Sequence, residues 1–245
     1  MPAWYQLNIL SWQCILGEDY KVYVLNDIRE DPGYILNYLS ESELPQGYFS
    51  IESLRIRSDI IRLALLNKYG GIWIDGSTVL LRSLDEFCFK EFKDRNIILC
   101  GVYLQDYIKK FSDYDFQGKD FFESAFVATK TNNPLIEKWS FILNRYWDNR
   151  RVSTNIFEHE IFKNAPKANE FNNKDGNYFT IHYSLRRLIG GDQLARKLYL
   201  DHTYKVDVME KGGYYILQEI GVVHDWSDVK VQEFTDFLTK PEKFN

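Results

Sequence analysis

The sequence predicts an α/β domain with a central, mostly parallel sheet flanked by helices. The first observation behind this fold class is that strand-like apolar segments alternate with helical patterns along the chain. The second is that the 245 residues are 45% hydrophobic, which is enough to bury a sizeable core. No Pro/Gly/Ser-rich linker or shift in composition divides the chain. We therefore expect one domain over residues 1–245.

Apolar periodicity locates the elements of the first third of the chain. In order, it predicts a helix at 4–16, a strand at 20–25, a short helix at 31–39, a helix at 58–67 and a strand at 72–74. The helix at 58–67 has the clearest boundaries. Ser58 suits the N-cap, Asp59 suits the positive end of the helix dipole, and Gly70 suits a C-terminal stop.

The alternation continues beyond this strand. The patterns predict strands at 96–102 and 124–129, a helix from 131 to about 146, a helix at 178–188, and a strand or hairpin within 214–223. In open α/β sheets, ligands bind beyond the carboxyl ends of the strands. Because Asp27, Asp75 and His224 each follow a strand pattern, we expect them on one rim of the sheet.

Composition and charge argue against several classes of function. The chain has 30 Lys+Arg against 35 Asp+Glu and no basic block, so nucleic acid or an anionic membrane is a poor candidate for its main partner. Cys14, Cys88 and Cys100 are too widely spaced for a disulfide framework or a zinc site. No stretch has the pattern of a signal peptide or a membrane span. We therefore expect a cytoplasmic protein that could bind a membrane only peripherally.

The short strand at 72–74 ends on an acid. Asp75 is followed by Gly76 and Ser77, and a carboxylate mounted at the end of a buried strand is well placed to bind a metal or a ribose. The same three residues also suit an ordinary turn, because Asp and Gly are the commonest turn formers. On these residues alone, the turn is the favoured interpretation.

Two charges interrupt the apolar helix that leads into this strand. Asp59 and Arg62 are three positions apart, so they share one face of the helix. A buried ion pair is weak evidence for stability, because desolvation can cost as much as the pairing returns. The pair is therefore either an internal salt bridge or part of a polar pocket beside Asp75.

This segment resembles the signature of the DXD-type glycosyltransferases of capsular polysaccharide synthesis, which are related to Golgi α-mannosyltransferases and to the catalytic domains of glucosylating toxins. The residues that carry the likeness are Ser58-Asp59-x-x-Arg62 and Leu66-x-x-Tyr69-Gly70-Gly71-Ile72-Trp73-Ile74-Asp75. Weaker blocks of the same group resemble Ser11-Trp12, Tyr23-Val24-Leu25-Asn26-Asp27, Asn133-Pro134-Leu135-Ile136-x-x-Trp139 and Tyr178-Phe179-x-x-His182. The likeness covers most of the chain.

The resemblance implies a GT-A fold and a metal-dependent, retaining glycosyltransferase. Such an enzyme moves a hexose from a nucleotide sugar, with a UDP-sugar favoured, to a glycan, polysaccharide or other hydroxyl acceptor. By the same resemblance, Asp59 and Arg62 hold hydroxyls of the donor sugar, and Asp75 serves the ribose and a divalent metal, Mn²⁺ or Mg²⁺. The donor site then also includes Ser58 and the pair Gly76-Ser77.

Two further residues enter by resemblance. His224 is similar to a late strand-end histidine that completes the metal shell in GT-A enzymes, and a surface histidine is an equally good interpretation. Ser124 stands where relatives place a polar residue near the reacting sugar. His182 falls within a helical pattern, so we interpret it as structural.

The sequence departs from the group at two places, which leaves alternatives open. Ser77 replaces the last acid of the DXD motif, and the group's usual first strand is absent before Met1-Pro2-Ala3-Trp4. A non-catalytic nucleotide-sugar or carbohydrate-binding relative is therefore the alternative function. A nicotinamide-dependent oxidoreductase is disfavoured, because no G-x-G-x-x-G follows any strand. The sequence identifies neither the sugar nor the acceptor.

Overall fold

A computed structural model describes residues 3–80, 83–85, 89–93, 96–103, 122–151, 156–163, 179–207 and 216–218. The helices are α1 (Ala3–Leu16), α2 (Leu54–Tyr69), α3 (Lys90–Lys93), α4 (Pro134–Trp147), α5 (Thr180–Gly191) and α6 (Gln193–Asp201). The strands are β1 (Gly71–Ile74), β2 (Thr78–Leu80), β3 (Leu99–Tyr103), β4 (Phe122–Thr129), β5 (Thr203–Asp207) and β6 (Ile216–Gln218). The α/β class is confirmed.

The sheet is small and mixed, so the expectation of a mostly parallel sheet is wrong. Its strand order is β1-β4-β3-β5, and β4 runs antiparallel to both β1 and β3. Only β3 and β5 pair in parallel. A parallel pair needs a long crossover, and the helices α4 to α6 lie between these two strands in the chain. A second antiparallel pair joins β2 to β6.

Helices cover the two sides of the sheet. On one side α2, α4 and α5 bury the larger core, whose fully enclosed aromatic side chains include Trp139, Tyr146 and Trp147. On the other side α1 packs against β2 and contributes Trp12 and Leu16 to a smaller core. Burial of these faces is the main source of helix stability in such a layered fold.

Two predicted elements before α2 are absent. Residues 20–25 join no sheet in the described structure, and an isolated bridge between Asn26 and Tyr34 replaces the expected strand. The expected helix at 31–39 is reduced to a 3₁₀ turn at Ile35–Asn37. The chain folds into a tight turn here, because the Asp31 carboxylate accepts a hydrogen bond of 2.7 Å from the Gly33 amide. Such side-chain bonds compete with helix formation.

The helix before Asp75 starts earlier than its sequence pattern predicts and stops where that pattern predicts. Ser53 caps α2 by accepting from the Ile56 amide, so Ser58 lies inside the helix and is not its N-cap. Gly70 ends the helix at φ +65° and ψ −150°, a region open almost only to glycine. A Cβ at Gly70 would lie 2.8 Å from the Thr131 amide nitrogen. This sharp stop turns the chain into β1.

None of the helices in the described ranges combines the length and apolar character that crossing a membrane requires.

Candidate functional site

Asp75 follows β1 and is fixed through its main chain. Its amide donates to the Ala125 carbonyl at 2.8 Å, and its carbonyl accepts from the Thr78 amide at 2.9 Å. The side chain stays 28% exposed. The fold therefore mounts this carboxylate rigidly and leaves it open to solvent.

Arg62 joins α2 to the strand ends. Its guanidinium is 3% exposed, and Nη2 lies 2.6 Å from Asp75 Oδ1 and 3.3 Å from Asp59 Oδ1. Nη1 donates to the main-chain carbonyl of Ser124 at 2.5 Å. The guanidinium carbon also lies 5.2 Å from the centroid of the Trp73 ring, within cation–π range. Arg62 is therefore the hub of a buried polar cluster.

Trp73 completes the environment of Asp75. Its indole Nε1 donates to Asp75 Oδ1 at 2.6 Å, so that oxygen receives hydrogen bonds from both Trp73 and Arg62. In the described part of the chain, no hydrogen bond reaches Oδ2 of the same carboxylate. Oδ1 of Asp75 therefore helps to hold the cluster together, and Oδ2 is available to bind a ligand.

The buried acid of the cluster is Asp59. Burial raises the pKa of Asp59 to about 7, with further upward contributions from Asp75 and Glu123, while the charge of Arg62 opposes the shift. Desolvation disfavours the charged form of a carboxyl group, and a nearby cation favours it. Asp59 is therefore poised to change its charge close to neutral pH.

Two further residues, Glu123 and His182, border the cluster, and the sequence pattern did not single out Glu123. Glu123, at the start of β4, is 14% exposed, and its Oε1 lies 3.9 Å from His182 Nε2 of α5. Burial raises the pKa of Glu123 and lowers the pKa of His182 to about 3, so this contact involves a neutral imidazole at pH 7. A single acid at the start of a strand produces no hydrophobic periodicity that could reveal its role. The one feature of the sequence that pointed to Glu123 was its position directly before Ser124.

The remaining candidate residues have varied surroundings. Ser58 is half-buried within α2, and Ser77 is half-buried in the turn after Asp75. Ser124 is buried, and its carbonyl is the acceptor for Arg62. His224 lies outside the described residues.

Helix α1 packs against the turn that follows Asp75. A Cβ at Gly76 would lie 2.5 Å from the Tyr5 ring, and the Gly76 carbonyl accepts from the Asn8 side chain at 2.6 Å. The space beside the Gly76 Cα is therefore filled by the Tyr5 ring. Glycine is needed here for helix packing.

Asp27, the third residue expected on the rim, binds elsewhere in the described structure. Its carboxylate lies 2.7 Å from the Arg57 guanidinium, and the pair is partly exposed. Because residues 20–25 join no sheet in the described structure, Asp27 does not follow a strand end as expected.

The described residues offer a divalent metal few ligands. They contain no group of three or more His, Cys, Asp or Glu side chains that could hold an ion. Within the Arg62 cluster, Asp75 has the most exposed carboxylate, and a carboxylate oxygen is a ligand type that Mg²⁺ and Mn²⁺ accept. A metal bound at Asp75 would therefore have to draw most of its ligands from outside the described residues.

Comparisons with known proteins give a consistent result. The family model described as capsular polysaccharide synthesis protein matches residues 2–186, a span that includes Asp59, Arg62, Asp75, Glu123 and His182. No solved structure gives a significant match.

Several curated fungal proteins are similar over part of their length. The O-glycosyltransferase braB of Annulohypoxylon truncatum is 26% identical over 173 residues, which cover 68% of this chain and 39% of that protein. The probable glycosyltransferase FCK3 of Fusarium pseudograminearum is 26% identical over 159 residues, covering 61% and 36%. The glycosyltransferase afumC of Aspergillus fumigatus is 25% identical over 170 residues, covering 67% and 42%. The chain spans about two fifths of the length of these relatives.

The family match covers most of the chain, and the charged cluster lies within it. The chain belongs to the capsular polysaccharide synthesis protein family.

Proposed function

We propose that this protein is a nucleotide-sugar-dependent glycosyltransferase with a GT-A type donor site. It transfers a hexose, with retention of configuration, from a UDP-sugar to a hydroxyl of a glycan or other acceptor. The observation that carries the proposal is the Arg62 cluster, in which one buried guanidinium joins Asp59 to Asp75 at the end of β1. Membership of the family and the names of the relatives support glycosyl transfer as the type of reaction.

The cluster suits recognition of a sugar. A sugar hydroxyl both donates and accepts hydrogen bonds, so it can pair with the Asp59 carboxylate and the Arg62 guanidinium together. Both side chains are at least nine-tenths buried, and their rotamers are fixed by their mutual contacts. Such preorganised groups orient a substrate with little loss of entropy on binding.

Glycosyl transfer breaks the bond between the anomeric carbon and the diphosphate oxygen. Positive charge develops on the sugar and negative charge on the leaving diphosphate, so the site must stabilise both. A bound Mn²⁺ or Mg²⁺ would neutralise the growing charge of the diphosphate. In our proposal Asp75 holds this metal through the oxygen that neither Arg62 nor Trp73 occupies, and His224 is a further candidate ligand.

A thermal-shift screen tests the function. The probes are UDP-glucose, UDP-galactose, UDP-N-acetylglucosamine, GDP-mannose, and free UDP and GDP, each with Mn²⁺ or with EDTA. A ligand at 100 times its Kd should stabilise the protein by about 2.7 kcal/mol. We expect one nucleotide sugar to raise the melting temperature more than its free nucleotide does, and only with Mn²⁺. If no nucleotide sugar stabilises the protein, the proposal is wrong.

The alternative is a relative that binds nucleotide sugars without turning them over. The replacement of the last DXD acid by Ser77 favours it, because the described residues leave Asp75 as the one acidic ligand at the strand end. Release of free sugar from the stabilising donor separates the two functions. A transferase should hydrolyse its donor slowly with Mn²⁺, whereas a binding protein should not hydrolyse it at all.

A further inference from the structure

Glu123 is the acid of the cluster whose role the proposed function leaves open. Its side chain is 86% buried but has no Lys or Arg within ion-pair distance in the described residues, because Arg62 pairs with Asp59 and Asp75 instead. Among the described residues, the basic side chain within 4 Å of its carboxylate is His182, and burial lowers the pKa of His182 so that it is neutral at pH 7. A buried carboxylate without a cation partner is costly, so a purely structural position would be filled better by an amide or an apolar residue.

The carboxylate has unused capacity to accept hydrogen bonds. Oε1 accepts from the Ala125 amide at 3.2 Å, and the Ser124 amide also stabilises the charged form. An ionised carboxylate has about four acceptor positions. Glu123 can therefore still accept from a ligand hydroxyl.

The register between β3 and β4 is irregular next to Glu123. It jumps from Gly101–Val127 to Val102–Glu123, so several residues of β4 stand opposite a single step of β3. The Phe122 ring packs on Trp139 in the larger core, and Glu123 reaches His182 in the neighbouring helix. Such irregularities are over-represented next to functional sites.

The position of His182 is also fixed. Trp139 Nε1 donates to the Ile181 carbonyl and to Ser184 Oγ, both at 2.9 Å, and so ties α4 to the turn of α5 that carries His182. The Phe179 ring packs against the imidazole with centroids 5.6 Å apart. The imidazole therefore borders one side of the Glu123 carboxylate and limits where that side chain can turn.

We propose that Glu123 binds a hydroxyl of the transferred sugar, opposite Asp59 and Arg62, and that His182 is the positioning residue for its carboxylate. This inference rests on the proposed function and specifies the sugar subsite. The geometric basis is that Glu123 directly precedes Ser124, whose carbonyl accepts from Arg62 at 2.5 Å. The segment of chain that carries the buried Glu123 carboxylate therefore borders the cluster of Asp59, Arg62 and Asp75. In the proposed binding mode Asp75, which is more exposed than Glu123, lies toward the diphosphate. Glu123 therefore contacts the sugar rather than the nucleotide.

Calorimetric titration of Glu123→Ala and Glu123→Gln tests the inference. The titrant is the nucleotide sugar that stabilises the wild type in the screen, followed by its free nucleotide, both with Mn²⁺. We expect Glu123→Ala to weaken nucleotide-sugar binding by about 10- to 100-fold, as for loss of a charged hydrogen bond, and to leave the free nucleotide unaffected. Glu123→Gln keeps the shape and one acceptor, so its loss should be smaller.

The controls separate a local role from a general one. Glu137→Gln changes an exposed glutamate on α4 and should bind like the wild type. His182→Asn should weaken the nucleotide sugar in the wild-type background but not in Glu123→Ala, because a positioning residue acts only through the side chain that it positions. Equal losses in both backgrounds would reduce His182 to a packing role.

Two outcomes overturn different claims. If the folded Glu123→Ala variant binds the nucleotide sugar as tightly as the wild type, the assignment of Glu123 is wrong and the proposed function stands. If the wild type binds no nucleotide sugar, the proposed function itself fails, and the assignment of Glu123 fails with it. Circular dichroism of each variant confirms that it is folded before titration.

Discussion

The Arg62 guanidinium lies 2.6 Å from the Asp75 carboxylate, although the two residues belong to different elements 13 positions apart. Gly70 makes this contact possible, because it ends α2 and turns the chain back into β1 beside that helix. Through this contact Asp75, an acid at a strand end, becomes part of the cluster that includes the buried Asp59 and Arg62. It also accounts for an arginine on the buried face of α2.

Replacement of Arg62 by lysine should disrupt the cluster. Lysine cannot reach Asp59, Asp75 and the Ser124 carbonyl together, because it lacks the planar fork of the guanidinium. We expect a loss of about 1–3 kcal/mol in the free energy of unfolding and at least tenfold weaker binding of the nucleotide sugar. Urea denaturation and calorimetry measure the two effects. Arg145→Lys, at an exposed pair, is the matched control and should change neither. Wild-type binding by a folded Arg62→Lys would remove Arg62 from the donor site.

Asp59 should make the stability of the protein depend on pH. Its pKa rises from 3.8 to about 7 on folding, so between these values the folded state binds more protons than the unfolded state. The contribution of Asp59 is fully favourable below about pH 4 and is lost as the pH rises to about 7. The Asp59→Asn variant has no carboxyl group at this position, so its unfolding free energy lacks this pH-dependent contribution. Relative to wild type, it should therefore gain roughly 2–4 kcal/mol between pH 4 and pH 8.

Urea denaturation at several pH values measures the Asp59 effect. The informative quantity is the difference in unfolding free energy between Asp59→Asn and wild type, since other titrating groups largely cancel in it. A difference that does not change with pH would show that Asp59 ionises normally despite its burial. The same variant should bind the nucleotide sugar more weakly, because a carboxylate accepts stronger hydrogen bonds from hydroxyls than an amide does.

Gly70→Ala should destabilise the fold and weaken the site with it. The backbone at Gly70 lies in a region that costs other residues about 1–3 kcal/mol, and the added Cβ would clash with Thr131. Gly17→Ala is the matched control, since Gly17 has φ +60° but no atom within 4 Å of its Cβ position. Thermal denaturation should show a larger loss for Gly70→Ala. Equal losses would mean that the contact with Thr131 adds nothing to the cost.

The sequence predicted the parts of this structure that depend on local pattern. The strand before Asp75, the stop at Gly70 and the helix that follows Asn133 were all expected, and each depends on a strong signal: an apolar run, a glycine, and an Asn-Pro start. The direction of the strands was not predictable in this way. Alternation of helix and strand is compatible with either direction, and here β4 returns between β1 and β3.

The site was predictable only where a motif carried it. Asp59, Arg62 and Asp75 lie within one short segment, and the structure brings their side chains together. Glu123 was not foreseen, because its contact with His182 joins β4 to a helix 59 positions later in the chain, and no local pattern encodes such a contact. Ser58 was mistaken for the helix start because Ser53, five residues earlier, has the same capping chemistry.

The central claim is that the carboxylate of Asp75 supports metal-dependent binding of a nucleotide sugar. Calorimetric titration of the nucleotide sugar into wild type, Asp75→Asn and the surface control Asp201→Ala, each with Mn²⁺ and with EDTA, tests it most directly. Asp75→Asn keeps an oxygen that can accept from Arg62 and Trp73, so the fold should survive while the metal ligand is weakened. We predict that Mn²⁺ strengthens binding at least tenfold in wild type and in Asp201→Ala but not in Asp75→Asn. An equal strengthening by Mn²⁺ in all three proteins would contradict the claim.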